Sequence, residues 1–235
     1  AYAKRKSLKL IFVKEKFSEN LTDQIIKNLD DTTAALCVSF VQFSSGTRLN
    51  IMKLRAATKQ LGIKLVVDIT QAAGVIPISI DSWQADLVVC SGYKWLGGHG
   101  GIAFAIFSDE LLKIQPPWIG WFGAENPFEM DATKLLLAQT GAKYTQSTLS
   151  YISVVGLNAS LENLLTLGIE KIYEHSKRLA NVLVSRIDDH NWSATRKIGD
   201  VESSPHIVSL HSSKFNIHTK FIELQKNNII CSTRN

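Results

Sequence analysis

The chain has 235 residues, 45% hydrophobic and 20% charged, a globular composition that argues against disorder. Lys and Arg outnumber Asp and Glu by 26 to 21, and only Lys4-Arg5-Lys6 gathers that excess into a cluster. A net charge of +5 suits a phosphorylated or carboxylate ligand and does not call for nucleic acid. Three cysteines, Cys37, Cys90 and Cys231, lack CxxC spacing and an even count. They signal neither a disulfide framework nor a zinc site, and they fit a reducing, cytoplasmic setting. No apolar run approaches the ~20 residues that span a bilayer, so no membrane partner is expected.

In chain order, residues 8–13 read as a strand. Ser18 is the expected N-cap of a helix over 19–29, with Leu21, Ile25, Ile26 and Leu29 on one face. Residues 34–41 form a continuous apolar run of the buried-strand kind. After Ser44-Ser45-Gly46, the residues Ile51, Leu54 and Leu61 define a helical face that Gly62 closes. Buried strands are expected at 63–67, 85–90 and 101–107. An irregular, aromatic-rich stretch runs from Pro116 to Phe128, and helical patterns cover 151–168 and 169–187. The end reads strand–helix–strand, at 206–210, 219–227 and 229–231. Apolar strands alternating with helices imply an α/β fold with a mostly parallel sheet sandwiched by helices. Residues 1–168 form the expected large domain, and residues 169–235 a partial small α/β domain.

One region is chemically unusual. Asp68 closes an expected strand, and Ser91 through Lys94 follow another, ahead of the glycine-rich Gly97-Gly98-His99-Gly100-Gly101. In an open parallel sheet, ligands bind at the C-terminal strand ends, so a carboxylate and a lysine are both offered there. Lysine forms Schiff bases with carbonyls, and an Asp that pairs with a pyridinium nitrogen is the usual partner of a pyridoxal phosphate lysine. A buried carboxylate keeps that nitrogen protonated, which the ring needs to act as an electron sink. Ser91 and the glycine-rich backbone would supply phosphate donors, and Gln71 a donor to the ring's phenolate oxygen. Singly, each residue has a plainer reading: Asp68 as a turn cap, Lys94 as a solvated charge, the glycines as a tight strand entry. His99 reads as a loop residue and Cys90 as a small buried hydrophobe. Trp118, Trp121 and Phe122 read as interface or core.

The D-x-x-Q of Asp68 and Gln71, the S-x-x-K of Ser91 and Lys94, and the glycine-rich exit closely resemble the pyridoxal-phosphate signature of class V aminotransferases. These are fold-type-I enzymes whose members include cysteine desulfurases and kynureninase-like enzymes. The resemblance extends over nearly the whole chain. It implies that Lys94 forms the internal aldimine and shuttles the α-proton, that Asp68 holds the pyridinium, and that Gln71 donates to the ring oxygen. Ser91 then binds the phosphate, and Tyr93 stands where many members have His, its hydroxyl within reach of the same phosphate. Thr148 matches a threonine that contacts the phosphate of the neighbouring subunit's cofactor, which implies a homodimer. Ser147 replaces a usual Gly beside it. Phe43 stands where desulfurases commonly have Asn, which counts against a strict desulfurase. Arg234 falls near a family arginine that meets the substrate carboxylate, a role suited to its bidentate fork.

Family members are longer, so the chain reads as the middle and later parts of a larger polypeptide, with poor activity expected of this piece alone. The expected reaction is transamination of a small amino acid. The runner-up is a lyase of the desulfurase or kynureninase-like kind. A non-catalytic dimerising remnant is the rival from another class. A Rossmann nucleotide-binding protein is a distant third, because no G-x-G-x-x-G follows the first strand.

Overall fold

A computed structural model describes residues 6–131 and 133–234. Lys4 and Arg5 of the basic cluster lie outside the described residues. Helix α1 spans Leu21–Ile26, strand β1 Ala35–Ser39, helix α2 Ile51–Gln60 and strand β2 Lys64–Asp68. A short helix, α3, covers Ile80–Trp83, and β3 covers Leu87–Ser91. Strand β4 is Ala103–Phe107, followed at once by α4, Asp109–Leu112.

The four strands form one sheet in the order β1-β2-β3-β4, with β1, β2 and β3 parallel. The fourth runs antiparallel to β3. A parallel return needs a crossover of a dozen or more residues, usually a helix. The connection over residues 92–102 contains none, so the chain doubles back. Leu65 and Val67 of β2 are fully buried and Val88 and Cys90 of β3 nearly so, as the apolar runs predict. They pack in one core with Leu21, Ile25, Ile51 and Leu54 from α1 and α2.

Two ionic clusters pin this layer. Asp86 is 4% exposed, just ahead of β3. Its Oδ2 accepts from the Leu65 N–H at 2.9 Å and from Arg55 Nη1 at 2.8 Å, and Lys64 Nζ lies 3.1 Å from Oδ1. Burial disfavours its charge, but the Leu65 amide, Lys64 and Arg55 outweigh that and hold the carboxyl below its ordinary value. Far along the chain, Arg196 Nη2 meets Glu15 Oε1 at 2.6 Å, with both side chains about 15% exposed. Arg196 Nε donates to Thr47 Oγ1 at 3.0 Å, and the guanidinium covers the Phe17 ring at 5.6 Å.

Several expected elements differ. Residues 8–13 are extended but form no strand, because no ladder partner lies beside them among the described residues; Phe12 is 86% exposed. The first helix starts at Leu21 rather than 19, capped by Asn20 instead of Ser18. The Gln24 side chain bonds the backbone of Lys16 and Glu19, holding that stretch as a turn. The end of the chain also departs from strand–helix–strand. Only Leu210–His211 (β6) pairs, antiparallel to Ser193–Ala194 (β5). Residues 203–206 are engaged elsewhere: Ser204 N–H bonds the Gly46 carbonyl, and His206 reaches Gln71. Residues 229–231 form no strand, and Ile230 is 98% exposed.

The long helices agree with the pattern. Tyr151–Leu167 (α5) and Ile169–Ser185 (α6) meet at Gly168, whose φ of +85° turns the chain by 76°. Leu157 is buried in the core, with Leu161, Leu164, Ile172 and Tyr173 packed against it. The last helix, α7, spans Ile217–Lys226 and is capped by Asn216 Oδ1 on the Thr219 N–H at 3.1 Å. No single helix among the described residues is long and apolar enough to cross a membrane.

Candidate active site

Parallel strands end on one edge, and here that edge carries the candidate residues. Ser39, Asp68 and Ser91 are the last residues of β1, β2 and β3, with Ser39 in register with Asp68 and Asp68 with Val89. The loops leaving these ends carry Phe43, Gln71 and Lys94. Asp68 and Ser91 are joined by a residue that sequence reasoning missed. Thr70 donates its N–H to Asp68 Oδ1 at 2.8 Å and accepts the Ser91 N–H on Oγ1 at 2.9 Å. Asp68 Oδ2 and the Ser91 hydroxyl have no hydrogen-bond partner among the described residues.

Cys90 follows Val89, the register partner of Asp68 on β3, and is 2% exposed, as its reading as a small hydrophobe predicts. Burial, and then the nearby Asp68 charge, push its thiol up to about 11 against a smaller lowering from Thr70. That thiol is protonated and inert at neutral pH.

Lys94 lies exposed in the loop between β3 and β4, its Nζ 5.7 Å from the centroid of the Tyr93 ring, which is itself exposed. The next residue, Trp95, donates Nε1–H to Gln71 Oε1 at 3.2 Å. Because indole only donates, this bond fixes the Gln71 amide with Nε2 free as a donor. The glycines here differ from the sequence reading. Gly92, Gly97 and Gly98 donate their amides to the carbonyls of Ile102, Lys94 and Gly92, so those N–H groups are not open to a phosphate. A Cβ on Gly98 would sit 2.9 Å from the Gly92 carbonyl and 3.0 Å from Leu157, so the loop's close approach to α5 requires glycine. His99 is exposed in the loop, as expected.

Two nominated residues come from further away. Arg234 stacks on Phe43, Cζ 5.3 Å from the ring centroid, which brings the cation to the loop after β1. Thr148 is exposed in the segment before α5. That segment packs on the aromatic loop: a Cβ on Gly120 would meet the Gln146 carbonyl at 1.6 Å. Trp121, Phe122 and Phe128 contact one another edge to face, and Trp118 is 63% exposed. Sequence reasoning also missed His206 and Trp95, whose rings meet edge to face at 4.7 Å. Trp95 could have been found as the neighbour of Lys94, whereas nothing local marks His206.

The donor set fits pyridoxal phosphate. A carboxylate oxygen, an amide donor, a hydroxyl and a primary amine stand open at one strand edge, the set that a pyridinium, a phenolate, a phosphate and an aldehyde require. Among the described residues no group of three or more His, Cys, Asp or Glu side chains is placed to hold a metal ion.

The sequence profile of the family described as Aminotransferase class-V matches residues 1–233. The uncharacterized aminotransferase YcbU of Bacillus subtilis (strain 168) is 26% identical over 213 residues, 90% of this chain and 55% of that protein. The kynureninase of Bacillus thuringiensis subsp. konkukian is 28% identical over 211 residues, 86% of this chain and 49% of that one. The apo structure of a cysteine desulfurase from Thermococcus onnurineus NA1 superposes with a TM-score of 0.83 at 21% identity. It covers 97% of this chain and 56% of that one, a likeness of fold. The chain thus spans about half the length of the relatives it matches. With a fold-type-I sheet and a profile match over nearly all its residues, the chain belongs to the class V aminotransferase family.

Proposed function

We propose that the chain carries the cofactor site of a pyridoxal-phosphate-dependent enzyme that transfers the amino group of a small amino acid. The observation that carries this reading is the gathering of Asp68, Gln71, Ser91 and Lys94 at one strand edge, each with an open group. When bound, pyridoxal phosphate supplies the electron sink that makes the substrate's α-proton acidic. Asp68 Oδ2 would hold a proton on the ring nitrogen, with the Thr70 N–H on Oδ1 orienting the carboxylate. Gln71 Nε2 donates to the ring oxygen. The hydroxyls of Ser91 and Tyr93 orient the phosphate. Lys94 Nζ would hold the cofactor's aldehyde carbon and, as a free amine, would be the base that accepts the substrate's α-proton and the acid that gives it back. Arg234, held against Phe43, offers its fork to the substrate carboxylate. In this reading Thr148 serves the cofactor of a second copy, making the working form a homodimer.

A kynureninase-like reaction is the second reading, favoured by the kynureninase among its relatives. Both use the same four residues and diverge at the substrate's side chain. The test is spectroscopic. Full-length protein with added pyridoxal phosphate is expected to show a visible absorption band that Lys94→Ala abolishes. No band in the wild type, or an unchanged band in the variant, overturns the reading. Amino-donor screening then separates transfer from side-chain cleavage.

A further inference from the structure

His206 lies 135 residues beyond Gln71 in sequence, yet its Nε2 sits 2.6 Å from the Gln71 carbonyl oxygen. A carbonyl only accepts, so Nε2 carries the hydrogen and the lone pair of the neutral ring is on Nδ1. Nδ1 is buried without a partner, so a second proton placed there would have nothing to donate to. Burial accordingly holds the imidazole down to about 4, against a smaller upward pull from the Gln71 carbonyl. The ring edge meets Trp95, and Trp95 Nε1 in turn holds the Gln71 side chain. The three residues close a ring of contacts: His206 on the Gln71 backbone, Trp95 on the Gln71 amide, His206 on Trp95.

That ring has little slack. Gly74, at φ +95°, brings its turn so close that a Cβ would stand 2.5 Å from the Trp95 carbonyl oxygen. The clamp also touches both halves of the cofactor site, since Gln71 lies in the turn that follows Asp68 and Trp95 directly follows Lys94. We propose that His206 is a positioning residue for this site, holding the Gln71 carbonyl and the Trp95 ring so that Gln71 Nε2 points at the pyridoxal ring oxygen. The inference rests on the pyridoxal reading above. It adds a device by which a distant segment of the chain sets the site's geometry.

The test uses two replacements in the full-length protein. His206→Phe keeps a ring against Trp95 and loses the donor, whereas His206→Gln keeps an N–H donor at similar reach. Loss of one buried hydrogen bond is expected to weaken pyridoxal phosphate binding about tenfold in H206F. The pH midpoint of the visible band should move with it, because the donor to the ring oxygen is displaced. H206Q is expected to bind within about threefold of wild type. With Gln71→Ala already present, H206F should add less than about twofold, since it acts through Gln71. Without cofactor, 15N NMR should find the Nε2–H tautomer of His206 still neutral at pH 5.5.

A wild-type Lys94-dependent band together with unchanged affinity and midpoint in H206F overturns this inference alone. So does H206Q performing no better than H206F, or additive losses with Q71A. If H206F does not fold, H206Q and the tautomer measurement decide: an Nδ1–H tautomer, or protonation near pH 6.5, overturns the clamp. A wild type with no such band refutes the cofactor reading, and this inference falls with it.

Discussion

Replacing Asp86 tests whether the sheet is locked where β2 and β3 begin. In Asp86→Ala the buried Leu65 N–H loses its acceptor, a loss of about 1–3 kcal/mol. Arg55 and Lys64 lose their counter-charge, which costs about 3–5 kcal/mol when a fully buried pair is broken. Here water reaches Arg55, 21% exposed, and Lys64, 47% exposed, so only part of that penalty is felt. A total destabilisation of about 3 kcal/mol is expected for D86A. Asp86→Asn keeps an oxygen for the Leu65 amide and should lose about 1–2 kcal/mol. The assay is urea unfolding of the full-length protein at constant m-value. The pH dependence has a fixed sign. Asp86 has a lowered pKa in the fold, so its stabilisation is complete above the unfolded carboxyl value and is lost as pH falls through the lower folded value. The wild-type advantage over D86A should therefore be constant at neutral pH and narrow only below about pH 4. A D86A protein within about 0.5 kcal/mol of wild type, or a gap that widens on acidification, refutes the reasoning.

Two further outcomes concern the opposite, C-terminal strand edge. Cys90, with its thiol pushed up to about 11 inside the core, should resist alkylation at pH 8 until denaturant is added; peptide mapping that finds Cys90 modified in the native protein contradicts its burial. Gly74→Ala places a Cβ against the Trp95 carbonyl at a φ that disfavours side chains, and should cost at least about 2 kcal/mol by urea unfolding; a neutral G74A would show that the turn and the lysine loop are not in close contact.

The local half of this architecture was readable from the residues. Apolar runs located β1 through β4 to within two residues, but burial accounts only for β2 and β3, where Leu65, Val67, Val88 and Cys90 are core positions; β4, expected to be buried, exposes Phe104 and Ile106. Asp68, Gln71, Ser91 and Lys94 are legible as a candidate site because they sit within one strand–loop–strand unit, so sequence spacing maps onto spatial proximity. The reading failed where a neighbour distant in sequence decides the outcome. Residues 8–13 have a strand's composition but no ladder partner, and composition does not supply one. The helix start shifts to Leu21 because the Gln24 amide holds Lys16 and Glu19 in a turn and Asn20, not Ser18, caps the first turn. The glycines after Lys94 suggest phosphate donors, but the amides of Gly97 and Gly98 close the loop itself, a fact fixed by backbone geometry that glycine content alone does not reveal.

The same division explains how the site is held. The candidate groups sit at the ends of β2 and β3 and in the loops that follow, which a parallel sheet leaves without lateral support beyond the strand ends. Contacts from residues 196–206 supply it. Arg196 binds Glu15 and Thr47, the Ser204 amide binds the Gly46 carbonyl, and His206 binds the Gln71 carbonyl. The first two fix the loop after β1, where Arg234 meets Phe43, and the third fixes the turn after Asp68. The pairs that bear the chemistry are therefore local, and the pairs that aim it are remote. A substitution at Arg196 or His206 touches no open group of the site, yet it loosens the loops on which Gln71 and Phe43 ride. Positional precision at a strand edge is bought by segments far away in sequence, which is why the aiming residues carried no local signature.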